Sequence, residues 1–198
     1  MGKTELVRKI ERSLRSQGFR VSESRILPPE NLDKETLRKL HSTAVKQKII
    51  EATPALQRRE TALLSYIANG SELNPLAVCP SIVQVESRSL EEQLFRYVTL
   101  HWTVPVSSGY GRRLRFLVID QSNGKLIDAI GLCDPVIALS GRDTWIGWSK
   151  DQRFARLRHV MDAFVLGAVP PYSHLLFGKL VALFCASDEV RRACYAKY

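Results

Sequence analysis

A chain of 198 residues, 45% hydrophobic and 25% charged, has the length and composition of a folded domain and excludes a disordered tract. Its net charge of +9 is uneven, with 14 basic and 8 acidic residues over 1–60, 2 and 4 over 61–100, and 13 and 8 over 101–198. Two basic ends around an acidic middle suit a polyanionic partner, nucleic acid first, or simply a well-solvated basic domain.

Cys79, Cys133, Cys185 and Cys194 form no C-x-x-C pair, and the histidines at 41, 101, 159 and 174 have no metal-ligand spacing. Neither a metal site nor a cofactor is expected. The start of the chain is charged and lacks the apolar core of a secretory signal. The longest apolar run, 174–186, is interrupted by Lys179 and falls short of the roughly 20 residues that span a bilayer. A cytoplasmic protein without membrane contact is expected.

Residues 3–17 carry Leu6, Ile10 and Leu14 at helical spacing, and Gly18 is a natural stop. Arg8, Arg12 and Arg15 occupy the other side, as phosphate contacts or as a solvated face. A second helix is expected over 33–51. A third is expected from Thr53-Pro54, an N-cap followed by proline, burying Leu56, Leu63, Leu64 and Ile67 before Asn69-Gly70. A short strand fits 82–86. The capping box Ser89–Glu92, with Glu92 reaching back to the Ser89 amide, opens a helix carrying Leu90, Leu94, Phe95, Val98 and Trp102.

Residues 107–148 are the centre of the chain. Leu114–Asp120 and Lys125–Cys133 read as strands, and Asn123-Gly124 favours a two-residue type I′ turn. That register sets Phe116 opposite Gly131 and pairs Arg113 with Asp134. After a loop, a second capping box, Ser149–Gln152, starts a short helix. Residues 159–169 turn strand-like until Pro170-Pro171. Residues 175–186 read as a buried helix with Gly178 at a close backbone approach, and Ser187 caps a last helix. Residues 1–81 form a helical, basic N-terminal region and 82–198 an α+β core built on an antiparallel hairpin.

Three clusters carry candidate chemistry. The loop Ser107–Arg113 combines glycines with Tyr110, Arg112, Arg113 and, just beyond, Arg115, a combination suited to phosphate or to a plain tight turn. It feeds a strand, so it is neither a Walker loop nor a dinucleotide fingerprint. Arg142 and Asp143 with Trp145 and Trp148 either stack and orient a base or clamp a loop. Asp128 and Asp162 sit in apolar strand-like runs, as perturbed acids or as outward-facing residues, the latter favoured for Asp128. His159 is near Asp162 in sequence as a proton carrier, although alternation sets the two on opposite faces. A catalytic reading rests on Asp143, Asp162 and His159.

Several blocks resemble the DruA family of the Druantia anti-phage defence system. They are LFRYVTLHW at 94–102, SxGYGRRLRFLVID at 107–120, NGKLI-x-x-IGLxDP at 123–135 and RDxWIGW at 142–148. The long block at 157–183, ASDEVR at 186–191, and the shorter QGFRV, ATPAL and YIANGSEL segments continue the likeness. The resemblance implies a component of bacterial defence against phage working beside a helicase-like protein, and the basic ends of the chain add an association with nucleic acid. Alternatives are an enzyme or a partner-binding scaffold.

The resemblance also implies a degenerate acetyltransferase-like C-terminal part. At the place where that fold cradles a pyrophosphate, 169–178, the glycine spacing and leading arginine are missing. Relatives carry further strands past the counterpart of Tyr198, so the chain is expected to be a fragment with an uncovered sheet edge. Self-association or a partner would fill that edge.

Overall fold

The β-branched runs at 114–120 and 125–133 do form a hairpin, and it is the middle of a four-stranded sheet. A computed structural model of the chain describes residues 2–22, 25–175 and 177–198. Two compact units divide it: Met1–Ala52 with Trp102–Pro105, and Thr53–His101 with Val106–Tyr198.

In the first unit, α1 (Lys3–Ser16) ends where expected. Gly18 takes φ +90°, and the Phe19 amide donates to the Leu14 carbonyl at 3.0 Å. A small antiparallel ribbon follows, β1 (Arg20–Ser22) and β2 (Arg25–Leu27), which the sequence did not suggest. Its turn lies outside the described residues. The Asp33 carboxylate accepts from the Thr36 amide at 2.8 Å and caps α2 (Lys34–Leu56). The expected break at Thr53-Pro54 is absent, because α2 runs through Pro54. Proline has no N–H for the carbonyl four residues back, but two residues from the helix end that loss is one hydrogen bond.

The second unit takes the last residues of α2 from Thr53 and continues through a 3-10 turn into α3 (Glu60–Leu64). Leu56 and Leu63 are buried, whereas Leu64 is half exposed, since α3 stops well before Asn69. The sheet runs β3 (Pro80–Gln84), β4 (Arg113–Asp120), β5 (Lys125–Cys133) and β6 (Asp162–Ala168), each antiparallel to its neighbour. On one face Leu114, Phe116, Val118, Ile130 and Leu132 form the core with Val181 of α7 (Phe177–Phe184) and Val190 of α8 (Asp188–Lys197). Strand alternation puts Arg115 on the other face, where it meets α4 (Leu90–Leu100). β5 is thus covered on both sides and is buried along nearly its whole length.

The hairpin register differs from the expected one. Asp120 pairs with Lys125 across a four-residue loop, and an irregularity follows between Val118 and Ile119. Asn123 does not take the positive φ that a type I′ turn requires; among 121–124 only Gly124 does, at +71°. The Asp120 carboxylate decides this: it accepts from the Ser122 amide and from the distant Cys79 amide, both at 3.0 Å, while the Gly124 amide donates to the Asp120 carbonyl at 2.7 Å. Phe116 therefore faces Ile130, and Arg115 faces Gly131. The aromatic ring over Gly131 belongs instead to Phe164 of β6, 2.8 Å from where a Cβ would sit.

Three helix starts follow their caps. The Glu92 amide donates to the Ser89 hydroxyl at 3.1 Å, but the Glu92 carboxylate takes the Arg88 amide rather than that of Ser89. Ser149 and Gln152 close a complete capping box on α6 (Lys150–Arg156). Ser187 caps α8 through the Val190 amide. Before α6, α5 (Ser140–Ile146) occupies what reads in sequence as loop. The strand expected from His159 begins at Asp162, after a 3-10 turn over Leu157–His159. α7 is one-sided, with Val181 buried and Leu183 exposed, and among the described residues nothing approaches Gly178 within 4 Å of a Cβ position.

Candidate functional site

The glycine loop does cradle an anion, and the anion is the protein's own. Gly109 and Gly111 both take positive φ, +65° and +64°. The backbone amide of Arg112 donates to one oxygen of Asp134 at 2.9 Å, and its Nε to the other at 2.7 Å. A Cβ on Gly111 would overlap that carboxylate. The rest of the Arg112 guanidinium donates to the carbonyls of Arg158 and Val160, at 2.7 and 3.1 Å. Partial burial pushes the Asp134 carboxyl up, but the Arg112 amide and guanidinium outweigh it and hold the group below the usual carboxylate range. The ion pair expected for Arg113 thus belongs to Arg112, one residue earlier, while Arg113 pairs in the ladder with Cys133.

The other residues of this cluster separate by how much they still have to offer. The Tyr110 hydroxyl donates to the Pro135 carbonyl. Arg115 pairs with Glu92 at 2.9 Å and lies over the Phe95 ring, 5.7 Å from its centre. The Arg113 side chain is exposed, and among the described residues it has no acidic partner. On α1, Arg15 reaches Glu11 at 3.8 Å, while Arg8 and Arg12, one turn apart, are exposed and have no acidic partner among the described residues.

Arg142 and Asp143 form a knot that joins α5 to α6. Arg142 grips one oxygen of Asp143 at 2.7 and 2.9 Å, and Arg153 takes the other at 2.8 Å. Arg142 also donates to the carbonyls of Val136 and Ile137, and lies over the Trp148 ring at 5.9 Å. Arg153, ahead of partial burial and of Arg142, sets the direction of the shift and holds the Asp143 carboxyl below its usual range. Trp148 is half buried and Trp145 is exposed. Sequence reasoning misses Arg153, because its tie to Asp143 spans ten positions and two helices.

The three residues of the catalytic reading are not joined. Asp143 is buried in its knot, whereas Asp162 and His159 are exposed and share no hydrogen bond with it or with each other among the described residues. His159 accepts at Nε2 from the Arg158 Nε.

Asp128 overturns the expectation of an outward-facing residue, because both faces of β5 are covered and it is fully buried. One carboxylate oxygen accepts weakly from the Gly167 amide at 3.4 Å, and the other has no hydrogen-bond partner among the described residues. Burial, only partly countered by the Gly167 and Ala129 amides, pushes its pKa up to about 8. The Cys185 thiol is raised by burial first and by Asp128 second.

Asp120, equally buried, is satisfied. Burial pushes it up, yet the Cys79 amide, the Tyr172 hydroxyl at 2.7 Å and Ser122 bring it below the usual range. Among the described residues no group of three or more His, Cys, Asp or Glu side chains is placed to hold a metal ion, and no helix is long and apolar enough to cross a membrane.

Fold and clusters together define a small α+β protein in which buried charges brace loops and helices. The chain belongs to the family described as Druantia protein DruA, whose model matches residues 31–198. It is 42% identical over 186 residues to the Druantia protein DruA of Escherichia coli (strain UMEA 4076-1), covering 94% of this chain and 46% of that relative. The chain thus spans about half the length of the curated relative it matches. The family's description names the Druantia system. No solved structure matches it.

Proposed function

We propose that this chain is a nucleic-acid-contacting component of the defence system, acting beside other proteins of that system, a helicase-like one among them. The observation that carries the reading is the pair Arg8 and Arg12 on α1: exposed, one turn apart, and without an acidic partner among the described residues. Arg113 offers a third such guanidinium. Unpaired cations on a chain of net charge +9 bind phosphates by releasing counterions.

The test is fluorescence anisotropy with labelled DNA and RNA at low and moderate salt, comparing wild type with an Arg8→Glu, Arg12→Glu variant. Affinity falls steeply with salt, and the variant's salt dependence is shallower by roughly 0.9 per lost phosphate contact on a duplex. Affinity indifferent to both salt and charge reversal refutes the reading.

An acyl-transfer function has less support. In the segment that would have to hold a pyrophosphate, Tyr172 is already spent on Asp120 and Asn123.

A further inference from the structure

The helices α5 and α6 are built the wrong way round for a globular surface. The only buried residue of α5 is Asp143, and α6 buries none. A guanidinium–carboxylate knot holds them, and their large apolar side chains face outward. Trp145 and Phe154 are each 87% exposed. A ring packed on a neighbour would lose far more of its surface than that, so neither ring belongs to the core.

What fits an open aromatic face flanked by cations is another flat aromatic face with negative charge beside it. A nucleobase provides one whatever its sequence, but only when it is unpaired, because duplex stacking covers both faces of every base. The charges agree. Lys150 lies one turn before Phe154 on the same side of α6, Arg156 stands in the last turn, and neither has an acidic partner among the described residues. The platform is also rigid, since Arg142 ties α5 to the carbonyls of Val136 and Ile137 while Asp143 ties it to α6.

We propose that α5 and α6 form a stacking platform for single-stranded nucleic acid, with Trp145 and Phe154 as base-binding rings and Lys150 and Arg156 as phosphate contacts. This rests on the nucleic-acid reading above and adds strand form and mode of contact to it.

The experiment measures anisotropy of labelled oligothymidine, oligouridine and a DNA duplex of equal length with the full chain, alongside Trp145→Ala and Phe154→Ala. Both positions are exposed, so the variants keep the fold, which circular dichroism verifies. Single strands bind more tightly than duplex, and each variant weakens single-strand binding by roughly 5- to 150-fold while duplex binding stays within about twofold. Oligothymidine against oligouridine separates DNA from RNA, and preference for either supports the platform. Duplex binding equal to or tighter than single-strand binding, or wild-type single-strand affinity in both variants, overturns the platform and leaves the broader reading standing. No binding to any of the three probes overturns both.

Discussion

Asp128 makes the stability of this protein depend on pH in an unusual direction. Its carboxyl is fully buried in the middle of β5, with one oxygen unpaired among the described residues. Burial raises its pKa from the usual 3.8 to about 8. The unfolded chain releases this proton near 3.8 and the folded chain near 8, so between those values the folded state binds more protons and stability falls as pH rises. At about 1.36 kcal/mol per pH unit, the loss relative to strongly acidic solution reaches about 4 kcal/mol at neutral pH.

Asp128→Asn keeps the shape and removes the titration. Among the described residues, the titratable group that feels the charge of Asp128 is Cys185, whose own shift is upward, so its thiol stays neutral over this range. Urea denaturation of both proteins at several pH values between about 5 and 7.5 isolates Asp128, because the remaining groups cancel in the difference. The variant gains about 3 kcal/mol on the wild type across that window. A difference that stays constant with pH refutes the reasoning and means that the carboxyl has found water or a partner.

Three further outcomes are expected. Gly131→Ala drives a methyl into the Phe164 ring and Val165 Cβ and costs about 1–3 kcal/mol, read by urea denaturation; an unchanged midpoint counts against the close approach across β5 and β6. Tyr172→Phe removes the hydroxyl that donates to Asp120, costs about 1.5–3 kcal/mol, and makes acid unfolding begin at higher pH, because a carboxylate held below its usual range gives stability that is lost as pH falls through its folded value. Among the described residues β6 pairs with β5 alone and carries Leu166 exposed, so the chain is expected to self-associate along that edge. Sedimentation across a wide concentration range reads this, and Leu166→Lys shifts it toward monomer; a wild-type monomer throughout refutes it.

What could be read from the sequence was chemistry local to a few residues. The ends of β5, the stop at Gly18 and the caps at Ser89, Ser149 and Ser187 all depend on neighbours within five positions. The hairpin register was not legible, because the Asp120 side chain that reshapes the turn is held by the Cys79 amide, 41 positions away. Pro54 reads as a boundary, yet a helix tolerates it so near its end. Asp128 was misplaced for a related reason: alternation signals an outward residue only when one face of a strand is open, and β5 has none open. In the candidate site, Arg142, Asp143 and Trp148 were legible as a group, but Arg153, which completes the knot, was not. Phe154 carries no signal in the sequence, and its exposure is what marks it.

The loop at Gly109–Arg112 also sets a limit on what can ever bind there. Its anion is attached to the same chain, so the receptor sees the Asp134 carboxylate at an effective concentration in the millimolar range or above, whatever the solution contains. A phosphate arriving from outside competes with a tethered occupant already held by the backbone amide and Nε of Arg112 at 2.9 and 2.7 Å. The tether works in the other direction too. Dissolved salts that weaken contacts between separate molecules act feebly on one made at such short range and partly out of water, so this corner keeps its shape at ionic strengths that would strip a ligand from the exposed arginines of α1. The same residue type is thereby divided between two regimes in one protein, insensitive to salt where it is tied down and responsive to it where it is not.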